Sequence, residues 1–227
     1  MTGVVVILIA ITVTPIFVVN AFRILSTDTF VRHELGRDDF PADRYGLAGD
    51  DRLALALLGL RSIQPGSEGI ALLERATLPD GSAAFGSREL RHMADVRRLL
   101  GQALRLQLIV VGVLLALGIA LRGSRRWRTV VPRGFQVGSL LTFAIALLAA
   151  PIILLGFDDF FVQFHSVFFS GDTWRFSTSD TLLRLYPEAF WQDTSQLAAA
   201  IVGVQAVAVA VLSTWWLRRL RTERGTA

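Results

Sequence analysis

Two of the chain's three histidines have neighbours that suit proton transfer near neutral pH. On a helix, the carboxylates of Glu89 and Asp95 fall three residues before and after His92, so both lie near its face. A carboxylate beside an imidazole can fix its tautomer and raise its basicity. Four arginines lie in the same segment: Arg88, Arg91, Arg97 and Arg98. The alternative interpretation is therefore an exposed helix face of mixed charge.

The second candidate, His165, lies in the segment FVQFHSVFF, where helical spacing places it beside Phe161, Phe168 and Phe169. An aromatic stripe of this kind is usually a packing surface. A histidine inside it needs a reason, because burying its nitrogens unpaired costs roughly 1–3 kcal/mol. This placement favours a functional role for His165. The third histidine, His33, stands in the charged segment VRHELGRDDF and is predicted to be solvated.

Several classes of site are excluded by composition. The chain has no cysteine and no lysine, so it has no thiol nucleophile, no disulfide and no Schiff-base amine. It also lacks the serine elbow, the HExxH helix and the phosphate-binding loop. A zinc site built from His92, His165 and a carboxylate has no closely spaced ligand pair to support it. We therefore expect neither a metal nor a cofactor.

The hydropathy pattern predicts a mainly α membrane protein with four transmembrane helices. The chain is 52% hydrophobic with a mean hydropathy of +0.50, which is too apolar for a soluble domain of this size. A bilayer core needs roughly 20 helical residues to cross it. The predicted transmembrane helices are residues 1–22, 104–122, 135–156 and 195–217.

Arginine placement predicts the topology of these helices. Two basic clusters flank the apolar runs: Arg122, Arg125, Arg126, Arg128 and Arg133, then Arg218, Arg219, Arg221 and Arg224. By the positive-inside rule the loop 123–134, the tail 218–227 and both termini are cytoplasmic. Residues 23–103 and 157–194 are then extracytoplasmic. This distribution is unlike a basic groove, so no nucleic acid partner is expected despite the sequence pI near 10.8.

The first extracytoplasmic segment, residues 23–103, is long enough to fold into a small cap. Asp50 or Asp51 is placed to cap a helix that ends near Ile63. Residues 70–76 and 82–85 flank the turn sequence LPDG, which predicts a short β-hairpin. A further helix begins at Ser87, and it either continues into the second span or bends at Gly101. The cap is therefore predicted to contain helices plus one hairpin.

The second extracytoplasmic segment, residues 157–194, holds half of the chain's aromatic residues between positions 157 and 191. It is too aromatic for a solvated loop and too charged to cross a lipid core. It is typical of the boundary between lipid and water, and it suggests chemistry on a lipid or a lipid-linked substrate. The residues expected to line a substrate are Phe85, Phe161, Phe164, Phe168, Phe169 and Trp174.

Both histidine segments carry longer motifs. These are E-x-x-H-M-x-D-V at residues 89–96, F-H-x-x-F-F-x-G-D-T-W at 164–174 and D-T-L-L-x-L-Y-P-E-x-F-W at 180–191. With them the chain resembles the lipoprotein intramolecular transacylase family of bacterial membrane enzymes. The resemblance implies four transmembrane helices and an extracytoplasmic cap, with the active site where the cap meets the membrane. It also matches His92 and His165 to the two catalytic histidines of the family.

The resemblance further implies the reaction. The family moves the sn-2 acyl chain of a diacylglyceryl lipoprotein onto the free amine of its N-terminal cysteine, giving the lyso-form. Acyl donor and acceptor lie on one molecule, so no enzyme nucleophile is required. Two histidines then suffice as acid and base, with Glu89 or Asp95 orienting an imidazole.

The expected partners are the diacylated lipoprotein N-terminus and membrane lipids, the expected location is the bacterial plasma membrane, and a monomer is assumed. Two alternatives stay open at this point. One is another membrane lipid hydrolase or acyltransferase. The other is a non-enzymatic membrane protein that binds lipid.

Overall fold

The computed structural model describes residues 2–121, 123 and 127–225, and these are mainly helical. Three arginines of the first basic cluster lie outside the described residues: Arg122, Arg125 and Arg126. The α-helices in chain order are α1 (Thr2–Leu25), α2 (Asp28–Leu35), α3 (Gly49–Ile63), α4 (Ala71–Glu74), α5 (Ser87–Leu121), α6 (Val130–Leu155), α7 (Phe157–Phe168), α8 (Thr181–Leu185) and α9 (Glu188–Gly225). A 3₁₀ turn, Trp127–Thr129, precedes α6.

Four of these helices are long and apolar enough to cross a membrane. They are Thr2–Leu25, Ser87–Ala120, Trp127–Leu155 (the 3₁₀ turn together with α6) and Glu188–Thr222. Large apolar side chains are exposed over much of their surface, as at Leu108, Leu148 and Val204. Lipid can cover such apolar surfaces, whereas exposing so large an apolar area to water is unfavourable. The prediction of a mainly α membrane protein with four apolar helices is confirmed.

The chain divides into two compact units. The first comprises the described parts of Met1–Phe22, Leu104–Ile152 and Gln196–Ala227. The second comprises Arg23–Ala103 and Ile153–Ser195. Each unit has its own hydrophobic core, and both candidate histidines belong to the second unit.

Two glycines let α6 approach α1 closely in the first unit. A Cβ on Gly134 would lie 2.6 Å from the Cβ of Ile9, and one on Gly138 would lie 2.7 Å from the carbonyl oxygen of Ala10. Four residues separate these glycines, so they lie on one face of α6. Small residues at this spacing are the usual means by which apolar helices pack in lipid. The hydroxyls of Thr14 and Thr142 join α1 to α6 nearby, 2.7 Å apart.

In the second unit α3 is the central helix, packed by α2, α4 and α8. Leu60 on α3, Leu73 on α4 and Leu185 on α8 are buried in one cluster. The hydroxyl of Tyr186 lies against the Cα of Gly59 and donates to the carbonyl oxygen of Ala56 at 2.5 Å. This contact requires the small residue at position 59, because a Cβ there would meet the tyrosine oxygen.

The predicted β-hairpin is wrong. Within residues 70–76, Ala71–Glu74 form the short helix α4, because the Ile70 carbonyl accepts from Leu73 and Glu74 and Leu73 is buried in the core. The LPDG turn does form, with Ser82 bonded to Leu78, but only Thr77 and Ala83 pair as a single bridge. The described residues contain no β-strand. The turn signal was therefore local and correct, whereas packing against α3 decided the flanking structure.

Two further expectations concern helix ends. The predicted end of α3 at Ile63 is confirmed, but Asp50 and Asp51 lie in its first turn and its N-cap is Ala48. The helix that begins at Ser87 continues through Gly101 to Leu121 without a break. One helix thus carries both the charged segment with His92 and the apolar run after it.

Replacing Gly138 with alanine tests the close packing of α1 and α6. The new methyl would meet the Ala10 backbone, so we expect a loss of about 1–3 kcal/mol of stability, typical of overpacking. Gly112→Ala on α5 is the matched control, because nothing lies within 4 Å of its Cβ position. Thermal unfolding in detergent, followed by circular dichroism, should show a lower Tm for Gly138→Ala only. Equal Tm values for the two variants would contradict the packing described.

Candidate functional site

The side chain of His92 is buried in the second unit on the charged first half of α5, before the uncharged run that begins at Leu106. Only 8% of the residue is exposed. Its ring lies edge-on to Phe169 and Phe176, with centroids 5.0 and 5.4 Å away. Its Nδ1 is buried and has no hydrogen-bond partner among the described residues. An unpaired buried nitrogen of this kind in a native site calls for a reason.

His165 lies on α7, where a backbone contact fixes its tautomer. Its Nδ1 is 2.8 Å from the carbonyl oxygen of Phe161, one turn earlier. A carbonyl only accepts, so Nδ1 carries the proton and Nε2 of the neutral ring carries the lone pair. The ring packs against Phe161 at 4.0 Å and Trp174 at 5.0 Å between centroids. The Nε2 atom is therefore the basic position of His165.

The two rings, hereafter the histidine pair, lie 6.0 Å apart between centroids and are inclined by 29°. Burial lowers the pKa of His92 to about 4, and repulsion from His165 adds to this while Asp95 opposes it. Burial also lowers the pKa of His165, partly offset by the bond to Phe161. Both imidazoles are thus neutral at pH 7, and mutual repulsion disfavours a second added proton on the pair.

Aromatic side chains surround the histidine pair and form what we call the aromatic layer: Phe161, Phe164, Phe168, Phe169, Trp174 and Phe176. The rings of Phe161, Phe169 and Trp174 contact His165 directly. Phe164 and Phe168 are nearly half exposed, so their faces are available to another molecule. Five of the six residues expected to line a substrate therefore lie around the pair or next to it.

The lining role of the sixth expected residue, Phe85, stays a prediction. This residue is buried in the hydrophobic core of the second unit with Leu73 and Met93. Sequence reasoning in turn missed Phe176, whose ring lies 5.4 Å from that of His92. Phe176 stands between α7 and α8, where no helical period could link it to a site. The only available signal was its place in the aromatic segment.

Neither carboxylate near His92 in sequence is hydrogen-bonded to it. Glu89 accepts from the backbone N–H groups of Gly86 at 2.6 Å and Leu182 at 2.7 Å, which ties the start of α5 to the start of α8. Burial raises the pKa of Glu89 despite these two bonds. Asp95 forms an ion pair with Arg98 at 2.9 Å. The orienting role of either carboxylate stays a prediction.

Two remaining sequence expectations concern other groups. His33 is exposed on α2, which confirms the prediction of a solvated side chain. Among the described residues, no group of three histidine, aspartate or glutamate side chains converges as metal ligands would. The arrangement that does form is two neutral imidazoles, one with a defined lone pair, inside an apolar layer. Such groups can accept a proton and return it within a site of low dielectric.

The comparisons with known proteins agree with this fold. The model of the family "Lipoprotein intramolecular transacylase Lit" matches residues 72–191, which include both histidines. An uncharacterized protein of Aquifex aeolicus (strain VF5) is 32% identical over 179 residues, 79% of each chain. The fold defines an integral membrane protein with four long apolar helices, and its second unit holds two adjacent histidines. The chain belongs to the lipoprotein intramolecular transacylase family.

Solved structures show the same fold. The membrane-integral lipoprotein intramolecular transacylase Lit of Bacillus cereus superposes with a TM-score of 0.80 at 17% identity, covering 98% of both chains. Two histidine-substituted variants of that protein superpose with TM-scores of 0.58 and 0.62. The likeness therefore extends over both units of this chain.

The lowered pKa of His92 predicts that the folded protein loses stability as the pH becomes acidic. The unfolded chain protonates this histidine near its ordinary value of 6.5, and the folded chain only near 4. Between these values the unfolded state binds more protons, so stability is full above pH 6.5 and falls as the pH decreases toward 4. The contribution is up to about 3 kcal/mol.

The measurement is Tm against pH for the wild type, His92→Gln and His33→Gln. The His92 variant should lose less stability on acidification, and the His33 variant should follow the wild type because that side chain is exposed. The same decrease in all three proteins would show that His92 is not protonated on unfolding.

Glu89→Ala should destabilise the protein strongly. It leaves two backbone N–H groups without their acceptor, and each buried orphan costs about 1–3 kcal/mol. Asp95→Ala is the matched control on the same helix, since its partly exposed ion pair contributes only about 0–1 kcal/mol. Tm values in detergent distinguish them: the Glu89 variant should unfold at lower temperature. If Asp95→Ala proved the more damaging, the assignment of Glu89 to the α5–α8 junction would be wrong.

Proposed function

We propose that this chain moves the sn-2 acyl chain of a diacylglyceryl-cysteine lipoprotein onto the α-amino group of that cysteine, giving the lyso-form. The observation that carries the proposal is the histidine pair: two neutral imidazoles 6.0 Å apart, His92 buried and His165 partly buried, within the residues 72–191 that match the family. Membership of the family supports transacylation of lipoproteins. The position of the lone pair on His165 supports acid–base catalysis as the means.

The proposed step balances within one substrate molecule. The amine nitrogen forms a bond to the carbonyl carbon of the sn-2 ester, and the carbonyl π electrons move to oxygen. Collapse of this intermediate restores the carbonyl and breaks the bond between carbon and the glycerol oxygen. The proton that the amine loses is matched by the proton that the glycerol oxygen gains. Total mass is unchanged, and no acyl-enzyme is needed.

In this mechanism His165 accepts the proton of the amine at Nε2. Its Nδ1–H is tied to the Phe161 carbonyl, so the ring presents one defined lone pair. His92 is the nearest second imidazole and completes proton delivery to the glycerol oxygen. The pair takes up one proton and releases one proton in each cycle. This suits two rings whose mutual repulsion disfavours protonating both at once. General acid and base catalysis of this kind contributes about 10²–10⁴-fold each.

The aromatic layer supplies orientation. The exposed rings of Phe164 and Phe168 offer an apolar surface for the acyl chains. Water excluded from this layer cannot hydrolyse the ester. Holding amine and ester in reactive geometry contributes roughly 7–11 kcal/mol to lowering the barrier. Glu89 or Asp95 acts on the pair through α5, by position or charge, rather than by a direct hydrogen bond.

The proposal includes a location. Arginines at the ends of the apolar helices, such as Arg128, Arg133 and Arg218, favour cytoplasmic termini in the bacterial plasma membrane. Residues 23–103 and 157–194, with the histidine pair, are then extracytoplasmic. This side suits a lipoprotein N-terminus that has already been freed and acylated. We propose a monomer as the active form, because every proposed catalytic group lies on one chain.

The test is expression of the wild type in a bacterium that lacks N-acylating enzymes, followed by mass spectrometry of one lipoprotein's N-terminal peptide. One acyl chain on nitrogen and one on glycerol, at unchanged total mass, is the expected product. His92→Ala and His165→Ala should lose conversion, and His33→Ala should retain it. Membrane abundance and Tm are measured for each protein to separate lost chemistry from lost folding.

Three results would contradict the proposal in different ways. Full conversion by either catalytic variant would remove that histidine from the mechanism. Released fatty acid, or transfer between two lipid molecules, would indicate another membrane hydrolase or acyltransferase. A folded wild type that leaves both acyl chains on glycerol would favour a lipid-binding protein.

A further inference from the structure

A buried hydrogen-bond donor beside the histidine pair has no partner. The indole Nε1 of Trp174 is inaccessible to solvent, and no described residue accepts from it. The residue as a whole is only 8% exposed. Leaving such a group unpaired costs about 1–3 kcal/mol. Native proteins retain few of these groups, and those they retain are often functional.

The position of Trp174 places this donor in the site. Its ring stacks on His165, with centroids 5.0 Å apart and planes inclined by 30°. The guanidinium of Arg175 lies over the same indole, 5.1 Å from its centroid. The neighbouring Thr173 hydroxyl and the Nδ1 of His92 are also buried without partners. Three unpaired polar groups thus belong to one neighbourhood of an otherwise apolar layer.

The chemistry of the indole N–H indicates which kind of hydrogen-bond acceptor would pair with it. An indole N–H donates and cannot accept, so its partner must carry a lone pair. In an apolar layer, a neutral carbonyl oxygen meets this need without the desolvation cost of a charged ligand. The Thr173 hydroxyl can donate or accept and is less selective. An ester carbonyl is the acceptor that an acyl chain would bring into this layer.

We infer that the Trp174 indole N–H donates to the carbonyl oxygen of the sn-2 ester. Its catalytic consequence rests on the proposed function, whereas recognition of the carbonyl does not. When the amine nitrogen bonds to the carbonyl carbon, the π electrons become a charge on that oxygen. A donor bonded to that oxygen stabilises the developing charge more than it stabilises the neutral carbonyl of the ground state. On collapse the electrons return and the glycerol oxygen leaves with its bonding pair.

Trp174→Phe separates this role from simple packing. Phenylalanine keeps a ring against His165 but removes the N–H. We expect kcat to fall by about 10²-fold, as for loss of one oxyanion donor. KM and the pH profile should stay close to wild type, because the group does not titrate and His165 keeps its neighbour. Trp191→Phe is the matched control in the same aromatic segment, on a tryptophan that is more than a third exposed. Trp174→Phe with wild-type kcat would overturn the inference, and so would a loss of kcat accompanied by a shifted pH profile.

A second measurement does not depend on catalytic activity. In the His92→Ala variant, ¹⁵N-indole tryptophan NMR follows the Trp174 N–H, assigned by elimination when each of the other four tryptophans is replaced in turn by phenylalanine. The first probe is a dipalmitoylglyceryl-cysteine peptide. The second is the same peptide with two ether-linked alkyl chains, which lack the ester carbonyls. We expect a downfield shift with the ester probe alone.

The same position with both probes would overturn the inference, even if Trp174→Phe fails to fold. A shift with the ester probe, together with a wild type that makes no N-acyl product, would support carbonyl recognition and reject the proposed function. The two conclusions can therefore fail separately.

Discussion

The site depends on keeping two imidazoles neutral inside an aromatic layer. Desolvation opposes the charged form of both rings, and their proximity opposes charging them together. One backbone carbonyl, that of Phe161, then fixes which nitrogen of His165 is basic. If water entered the layer, desolvation would no longer hold the pKa of either ring below its ordinary value. The aromatic residues therefore shape the proton chemistry as much as they shape the surface for a lipid.

The layer is held by polar contacts that lie outside it. Glu89 joins α5 to α8 through two backbone N–H groups, one turn away from His92. Arg97 donates to the carbonyls of Ser62 and Gln64 and so fixes the loop after α3 to the same helix. A buried charge is costly unless it is fully paired, so these contacts define one arrangement of α5 within its unit. The position of His92 follows from them.

The first unit uses a different means of association. Apolar helices in lipid gain little from further burial of apolar surface, so close approach and polar contacts must decide their packing. Gly134 and Gly138 provide the approach of α6 to α1. Gln107 donates to the side chain of Asn20, which itself donates to Gln205, and this joins α5, α1 and α9. These three polar side chains in apolar helices are thus paired with one another.

The sequence by itself determined the four apolar helices, the end of α3 and the two histidines that merit attention, because hydropathy, turn residues and helical period are local properties. It misjudged residues 70–76, where burial of Leu73 overrode a hairpin pattern. It could not decide whether α5 bends at Gly101. Three features are decided only by the tertiary structure: the burial of Phe85 in the core, the contact of Phe176 with His92, and the hydrogen bond from the α8 backbone to Glu89. These depend on contacts between residues far apart in sequence, and no local pattern encodes such contacts.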